Sequence, residues 1–376
     1  MNVFSMRMIR GVAAFAAIWL SVTAPTAQTA TSRIVGAANT FLSTLSEKQR
    51  QSILYSFDDE QQRARWSNFP TGFVPRGGMS LREMNPAQRS AAMALVSSAL
   101  SARGFEKVQQ IMEGDEVLKR TDTGGPPGGN NGHRPPGDND GHGPPPGNGG
   151  HRPPSGDSQM FGKDLYYISI LGTPSEKTPW MLQFGGHHLA LNITIAGERG
   201  VLTPTLTGAQ PALYTIDGKT VRPLGPESDK GFALLQALDD KQRKQAILSY
   251  QLADLVLGPG QDGKTIVPEG LKASEMTEHQ RAMLLDVISE WANIIHDSAA
   301  AARMAQLKAD VNETWFAWSG PTTVTPGKNI TAYYRIQGPH LVIEYAPQTL
   351  GGDPGLHVHT MYRDPTNDYG RGLLKQ

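Results

Sequence analysis

The chain has 376 residues, 38% of them apolar, with 35 basic side chains against 35 acidic ones and no cysteine. That is enough apolar material for a core of one or two domains, and charge balance without basic blocks argues against a nucleic-acid partner, whose phosphates need clustered Lys and Arg. Disulfides and thiolate ligands are excluded, so a metal would have to be held by nitrogen and oxygen.

Residues 1–30 read as an export signal. Arg7 and Arg10 precede an apolar run from Gly11 to Val22, followed by small residues and Pro25 up to Ala27 or Ala30. The run is short for a bilayer span and ends in a cleavage-like zone, so a periplasmic or extracellular location is expected, with no membrane contact after removal of the signal. An uncleaved anchor is the alternative.

Residues 31–120 read as the helical part of a first unit. Residues 121–158 then shift to Gly, Pro, Asn and Asp with almost no apolar side chains, the composition of a disordered linker. His133, His142 and His151 recur in it, each after Gly. They are either part of a solvated low-complexity repeat or a weak metal-gathering tether. Residues 159–225 read as the β-hairpin part of the first unit, and residues 226–376 as a second unit of helices, a hairpin and a C-terminal His-x-His strand.

The two units match each other. Leu42, Leu45 and Gln49 align with Leu235, Leu238 and Gln242; Glu83-Met84 and Gln88-Arg89 align with Glu275-Met276 and Gln280-Arg281. Each copy reads as a helix, a polar loop with Gly and Pro, and a second helix with a start signal. The match runs on from Leu165–Gly172 to Thr314–Gly320, and from Gly186-His187-His188 to Gly338-Pro339-His340, which pairs His188 with His340 and Asn192 with Glu344. The expected fold is therefore α+β: internally duplicated helix-pair plus β-hairpin units, packed as one pseudo-symmetric body with a mainly antiparallel sheet. Trp180, Trp315, Trp318, Tyr333 and Tyr334 read as hairpin core.

Histidine gathers in two places outside the linker, His187-His188 and His357-Val358-His359. In an extended strand residues two apart share a face, so His357 and His359 point together and Val358 points into the core. Four imidazoles in two strand-like segments predict a shared transition-metal site of zinc, copper or iron. Its candidate ligands are His187, His188, His340, His357 and His359. His188 is preferred over His187 because its matched position also holds a histidine. Glu344, an even step from His340, is the candidate carboxylate. Arg363 could bind an anionic group, and Asp364 could move a proton or orient a histidine. Turn chemistry in Asp364-Pro365-Thr366-Asn367-Asp368 is the plainer reading of that run. His279 and His296 read as structural or solvated.

Gln183–Asn192, Thr314–Gly320, Tyr334–Pro339 and His357-Val-His359 with Arg363–Gly370 resemble the bacterial domain-of-unknown-function family numbered 3500. The resemblance covers residues 36 to 372 apart from the linker, and it implies no activity and no catalytic residue. Nucleophile-elbow, P-loop, dinucleotide-binding and His-Glu-x-x-His patterns are all missing. The expected function is that of an exported His-ligated metalloenzyme, hydrolytic with zinc or oxidative with copper or iron, acting on a small-molecule or polymer substrate. The alternatives are a periplasmic metal-handling or ligand-binding module without catalysis, and a carbohydrate or peptide binder using the histidines as hydrogen-bond donors.

Overall fold

The computed structural model describes residues 28–121, 160–350 and 352–373. The export signal up to residue 27 and the linker histidines His133, His142 and His151 lie outside these. Along the first half run α1 (Ala30–Ser43), α2 (Glu47–Ile53), β1 (Leu54–Tyr55), α3 (Glu60–Arg63), β2 (Met79–Ser80), α4 (Pro86–Ala99) and α5 (Ala102–Thr121). They are followed by β3 (Tyr167–Leu171), β4 (Trp180–Gly186), β5 (Leu189–Ala196), β6 (Arg199–Val201), β7 (Thr205–Ala209), β8 (Tyr214–Ile216) and β9 (Lys219–Val221). The second half runs α6 (Gly225–Ala237), α7 (Asp240–Ala246), β10 (Leu271–Lys272), α8 (Glu278–Ala292), α9 (Asp297–Ala309), β11 (Trp315–Ser319), β12 (Tyr333–Gly338), β13 (Leu341–Pro347) and β14 (Val358–Arg363). Among the described residues no helix is long and apolar enough to cross a membrane.

The helix starts follow from local chemistry. Ser46 with Gln49, Asn85 with Gln88, Asp239 with Gln242 and Thr277 with Gln280 all close reciprocal capping boxes, each satisfying two amides that a helix N-terminus leaves unbonded. The glutamines then bridge helices. Gln88 Nε2 donates to Gln49 Oε1 and Gln280 Nε2 to Gln242 Oε1, at 3.0 and 2.8 Å.

The fold class is mixed α and β around one large, mainly antiparallel sheet, ordered β1-β3-β4-β5-β7-β14-β13-β12-β11-β10. The first half supplies more than the hairpin read from sequence, because β3, β4 and β5 are followed by β7; in the second half β11, β12 and β13 are followed by β14, the His-x-His strand expected there. Strands β7 and β14 pair with each other and join the halves, with Thr207 opposite Thr360 and their hydroxyls 2.7 Å apart.

Strand alternation divides the sheet into two different faces. Ile168, Leu182, Leu191, Val358, Tyr345, Tyr334 and Trp318 point to the helices and form the main core. The opposite face carries Ser169, Gln183, Asn192, His359, Arg363 and Glu344, with two small apolar patches, one of Trp66, Ala190, Leu206 and Met361 and one of Leu171, Met181 and Tyr369. Loops 56–78 and 248–270 and the C-terminal segment cover this polar face. Strands such as β5 are consequently buried at every position, which hides the alternation from a simple hydropathy reading.

Candidate metal centre

The site stands on the polar face where β5, β7 and β14 meet. His357 precedes β14 with extended backbone (φ −138°, ψ 114°), so His357 and His359 share that face while Val358 is wholly buried in the helix-side core. This arrangement is the one the His-x-His spacing predicts. The other pair differs from expectation: His187 and His188 form the two-residue turn between β4 and β5 rather than strand. His188 adopts a left-handed backbone at φ 59°, so strand alternation does not separate the two rings, whose centroids are 3.7 Å apart.

His188 reaches β14 across β7 because the residue between them is Gly208. Gly208 pairs with His359 on one side and donates its N–H to the His188 carbonyl on the other, at 2.7 Å. A Cβ at Gly208 would lie 3.0 Å from His188 Cδ2 and 2.9 Å from the Val358 carbonyl.

The result is a buried convergence of three Nε2 atoms. His188 Nε2 lies 3.0 Å and His359 Nε2 3.1 Å from His357 Nε2. The His357 and His359 rings are almost perpendicular, at 88°, so nitrogens meet and ring faces do not stack. His188, His357 and His359 could hold a metal ion. Their outer nitrogens are steered as ligands require. His357 Nδ1 donates to the Leu350 carbonyl at 2.8 Å, leaving Nε2 with its lone pair. His359 Nδ1 faces Asp254 Oδ1 at 3.4 Å, and with the proton on Nδ1 its Nε2 is also a bare lone pair. Two such lone pairs 3.1 Å apart repel unless a proton or cation sits between them.

Charge is kept off the cluster by its surroundings. Burial, then the neighbouring His187, His359 and His357, hold His188 well below the ordinary imidazole value. Burial and His359 push His357 down to about 3. Both are neutral, ligand-ready imidazoles near neutral pH. Asp254 keeps more than half of its side chain exposed; what burial it has raises the carboxyl, but the neighbouring His359 and hydrogen bonds from the Leu255 amide and Gln348 outweigh it and leave the group below its usual value.

The other candidates from sequence lie elsewhere. His187 adjoins the cluster, but its Nδ1 is bonded to Asp115 Oδ1 at 2.7 Å. His340 occupies the equivalent turn between β12 and β13, where its Nδ1 donates to Thr366 Oγ1 at 2.8 Å. The expectation that His188 and His340 meet fails on sheet geometry. Three successive antiparallel pairings, β5–β7, β7–β14 and β14–β13, make β5 and β13 antiparallel, so their leading turns lie toward opposite ends of the sheet. Val342, just past His340, pairs with Arg363, four residues along β14 from His359 and thus on the order of 13 Å away.

Glu344 is fully buried and accepts from the Val256 and Leu257 amides and the Tyr333 hydroxyl at 2.7, 2.8 and 2.7 Å, anchoring the covering loop. Burial raises its carboxyl, against those hydrogen bonds. Arg363 donates to the Leu257 and Gly258 carbonyls and to Asp262 and Asp368. Asp364 pairs with Arg303 at 2.8 Å and caps the turn at Thr366. None of these three belongs to the cluster of imidazole nitrogens.

Four contributors were not singled out from sequence. Asp254 and Asn68 come from the covering loops; the Asn68 carbonyl accepts the His188 N–H at 3.2 Å and its amide lies 3.4 Å from His359 Nδ1. No local pattern marks them, nor Gly208. Asp115 does carry a signal, because it continues the stripe Val108, Ile111, Met112 on α5, and an acid on an apolar helix face calls for a partner.

No curated protein and no solved structure matches this chain. A family model described as protein of unknown function (DUF3500) matches residues 27–371, nearly the whole length, and the chain belongs to that family.

Proposed function

We propose that the chain is an exported metalloprotein in which His188, His357 and His359 hold one zinc, copper or iron ion, and that the ion serves a reaction on a small or polymeric extracytoplasmic substrate. The convergence of the three Nε2 atoms carries this reading. A tetrahedral ion with nitrogens at about 2.05 Å sets them roughly 3.3 Å apart; the two separations from His357 are close to this at 3.0 and 3.1 Å, and ligand atoms of all three histidines lie within 4.8 Å of one another. Three protein nitrogens leave a position for water or substrate, as in catalytic rather than closed structural sites. Bound there, such an ion would polarise a substrate oxygen or acidify water. Asp254 and Leu350 would orient the ligands.

A second reading, metal handling without catalysis, is favoured by the low exposure of the three histidines, 3 to 6%. The two differ in access to the ion. Metal analysis of untagged protein should find about one ion per chain, and a His357→Ala/His359→Ala double variant should lose it; equal metal in both proteins would refute the site. On cobalt-substituted protein, a visible-spectrum change with azide supports the enzyme reading, and an inert spectrum supports metal handling.

The shared order of elements in the two halves and their matched capping boxes support an internal duplication, with the strands β7 and β14 at its centre. Export rests on the N-terminal sequence and is tested by the mass of the mature protein recovered outside the cytoplasm.

A further inference from the structure

A second feature of the polar face lies on the far side of the turn that carries His188. Arg76 is half-buried under its loop, with its Nε fully enclosed, and belongs to no ion pair among the described residues. Its Nη atoms donate to the carbonyls of Val74, Ser67, Phe69 and Gly186, the last three at 2.8, 2.6 and 3.1 Å. These bonds tie loop 64–78 to the end of β4, but carbonyl dipoles supply no countercharge. Burial pulls the guanidinium down to about 10, the expected mark of a cation without an anion.

Two orphan groups face the same space. Arg76 Nε is a buried donor without a partner, and Gln62 Oε1 is a buried acceptor without one. Both line a depression of about 300 Å³, counting its open mouth, whose wall also includes exposed Arg65 and contains no acidic residue. Gln62 is held in place on its other side, where Nε2 donates to Ser169 Oγ at 3.2 Å and Gln183 Oε1 at 3.0 Å. Gly77 leaves room for that amide, since a Cβ there would fall 2.0 Å from Gln62 Oε1 and push the side chain aside.

A buried donor or acceptor left unpaired destabilises the fold, and a charge without a counterion does so further. One water could bridge the two orphans, and the enclosed part of the depression is close to one water in size. Water, however, leaves Arg76 and Arg65 without an anion. A carboxylate satisfies the guanidinium, and a donor on the adjacent carbon satisfies Gln62, while the rest of the ligand extends through the mouth.

We propose that this depression binds the carboxylate end of a small acid bearing a neighbouring hydroxyl or amino group, with Arg76 and Arg65 taking the carboxylate and Gln62 Oε1 accepting from the donor. The site uses none of the three clustered histidines and stands independently of the metal reading.

The test is calorimetric titration of the metal-free full-length protein with glycolate, acetate and chloride at equal ionic strength. Glycolate should bind, acetate about tenfold more weakly because a buried acceptor is left unpaired, and chloride without measurable heat. Arg65→Gln, at an exposed position, should fold normally and weaken glycolate by about tenfold. Arg76→Lys should abolish binding; because Arg76 also clips the loop, Arg65→Gln decides the matter if that variant fails to fold. No glycolate heat beyond the chloride control, glycolate and acetate bound alike, or Arg65→Gln bound as tightly as the parent would each overturn the assignment.

Discussion

Replacing Gly208 by Ala should dismantle the histidine cluster without touching a histidine. Gly208 is outside the left-handed region, so Ala meets no backbone penalty and the effect is that of one methyl group. That methyl would lie 3.0 Å from His188 Cδ2, 3.2 Å from His188 Cβ and 2.9 Å from the Val358 carbonyl. Carbon contacts are comfortable at about 3.5 to 4.0 Å. The Val358 carbonyl is fixed by the pairing of β14 with β7, so His188 must retreat by about 0.5 Å. Metal sites tolerate ligand displacements of roughly 0.2 Å; the retreat is more than twice that. We expect metal affinity to fall about 10- to 100-fold, the range typical of disturbed ligand support, or roughly 1.4–2.7 kcal/mol. Overpacking should add a stability cost of about 1–3 kcal/mol. Competition against a chromophoric chelator measures the first and denaturant melts of metal-free protein the second. Gly36→Ala in α1, where a Cβ meets nothing within 4 Å, is the control and should keep full affinity. Parent-like affinity in Gly208→Ala would show that His188 does not reach the ion across β7.

Asp254→Asn should weaken the ion about tenfold by loosening His359, with little change in the melting temperature of metal-free protein; unchanged affinity would remove Asp254 from the site. Gln88→Ala and Gln280→Ala each delete one capping-box partner and a bridge between helices. Each should cost about 1–3 kcal/mol, and a cost confined to one of them in urea melts would contradict the proposed internal duplication. Asp164 is held below its ordinary 3.8 by the bidentate Arg82, against partial burial. A depressed folded value means that this pair stabilises above the unfolded value and loses its effect as pH falls through the folded one. Asp164→Asn should therefore flatten the acid limb of stability below about pH 4 and, at this half-exposed site, cost under about 1 kcal/mol at pH 7; an unchanged acid limb would refute it.

What could be read in advance were the features set by neighbours in sequence. The capping boxes need residues three apart, and the shared face of His357 and His359 needs residues two apart. Trp318 and Tyr334, opposite each other on β11 and β12, enter the helix-side core as alternation requires; Trp315, also expected there, is only half-buried, and Tyr333 points to the polar face and donates to Glu344. What could not be read were features set by strands far apart in the chain. The turn at His187-His188 looked like strand because β5 is covered on both faces, which removes the polar punctuation that marks an end. Asp254 and Asn68 arrive on loops that acquire meaning only once they lie over β14.

The matched histidines show the limit most clearly. Sequence comparison pairs His188 with His340, and the fold does place both second in a two-residue hairpin turn, although only His188 has a left-handed backbone. Yet β7 and β14 join the halves as antiparallel neighbours, an arrangement that sends like turns to opposite ends of the sheet. A centre built at one end can use the turn of one half only, and its remaining ligands must come from the strand of the other half that runs past that turn. The strand available there is β14, with the His-x-His at its beginning. An asymmetric histidine set is therefore what this sheet order requires, and His340 is left to hydrogen-bond Thr366 in the C-terminal turn.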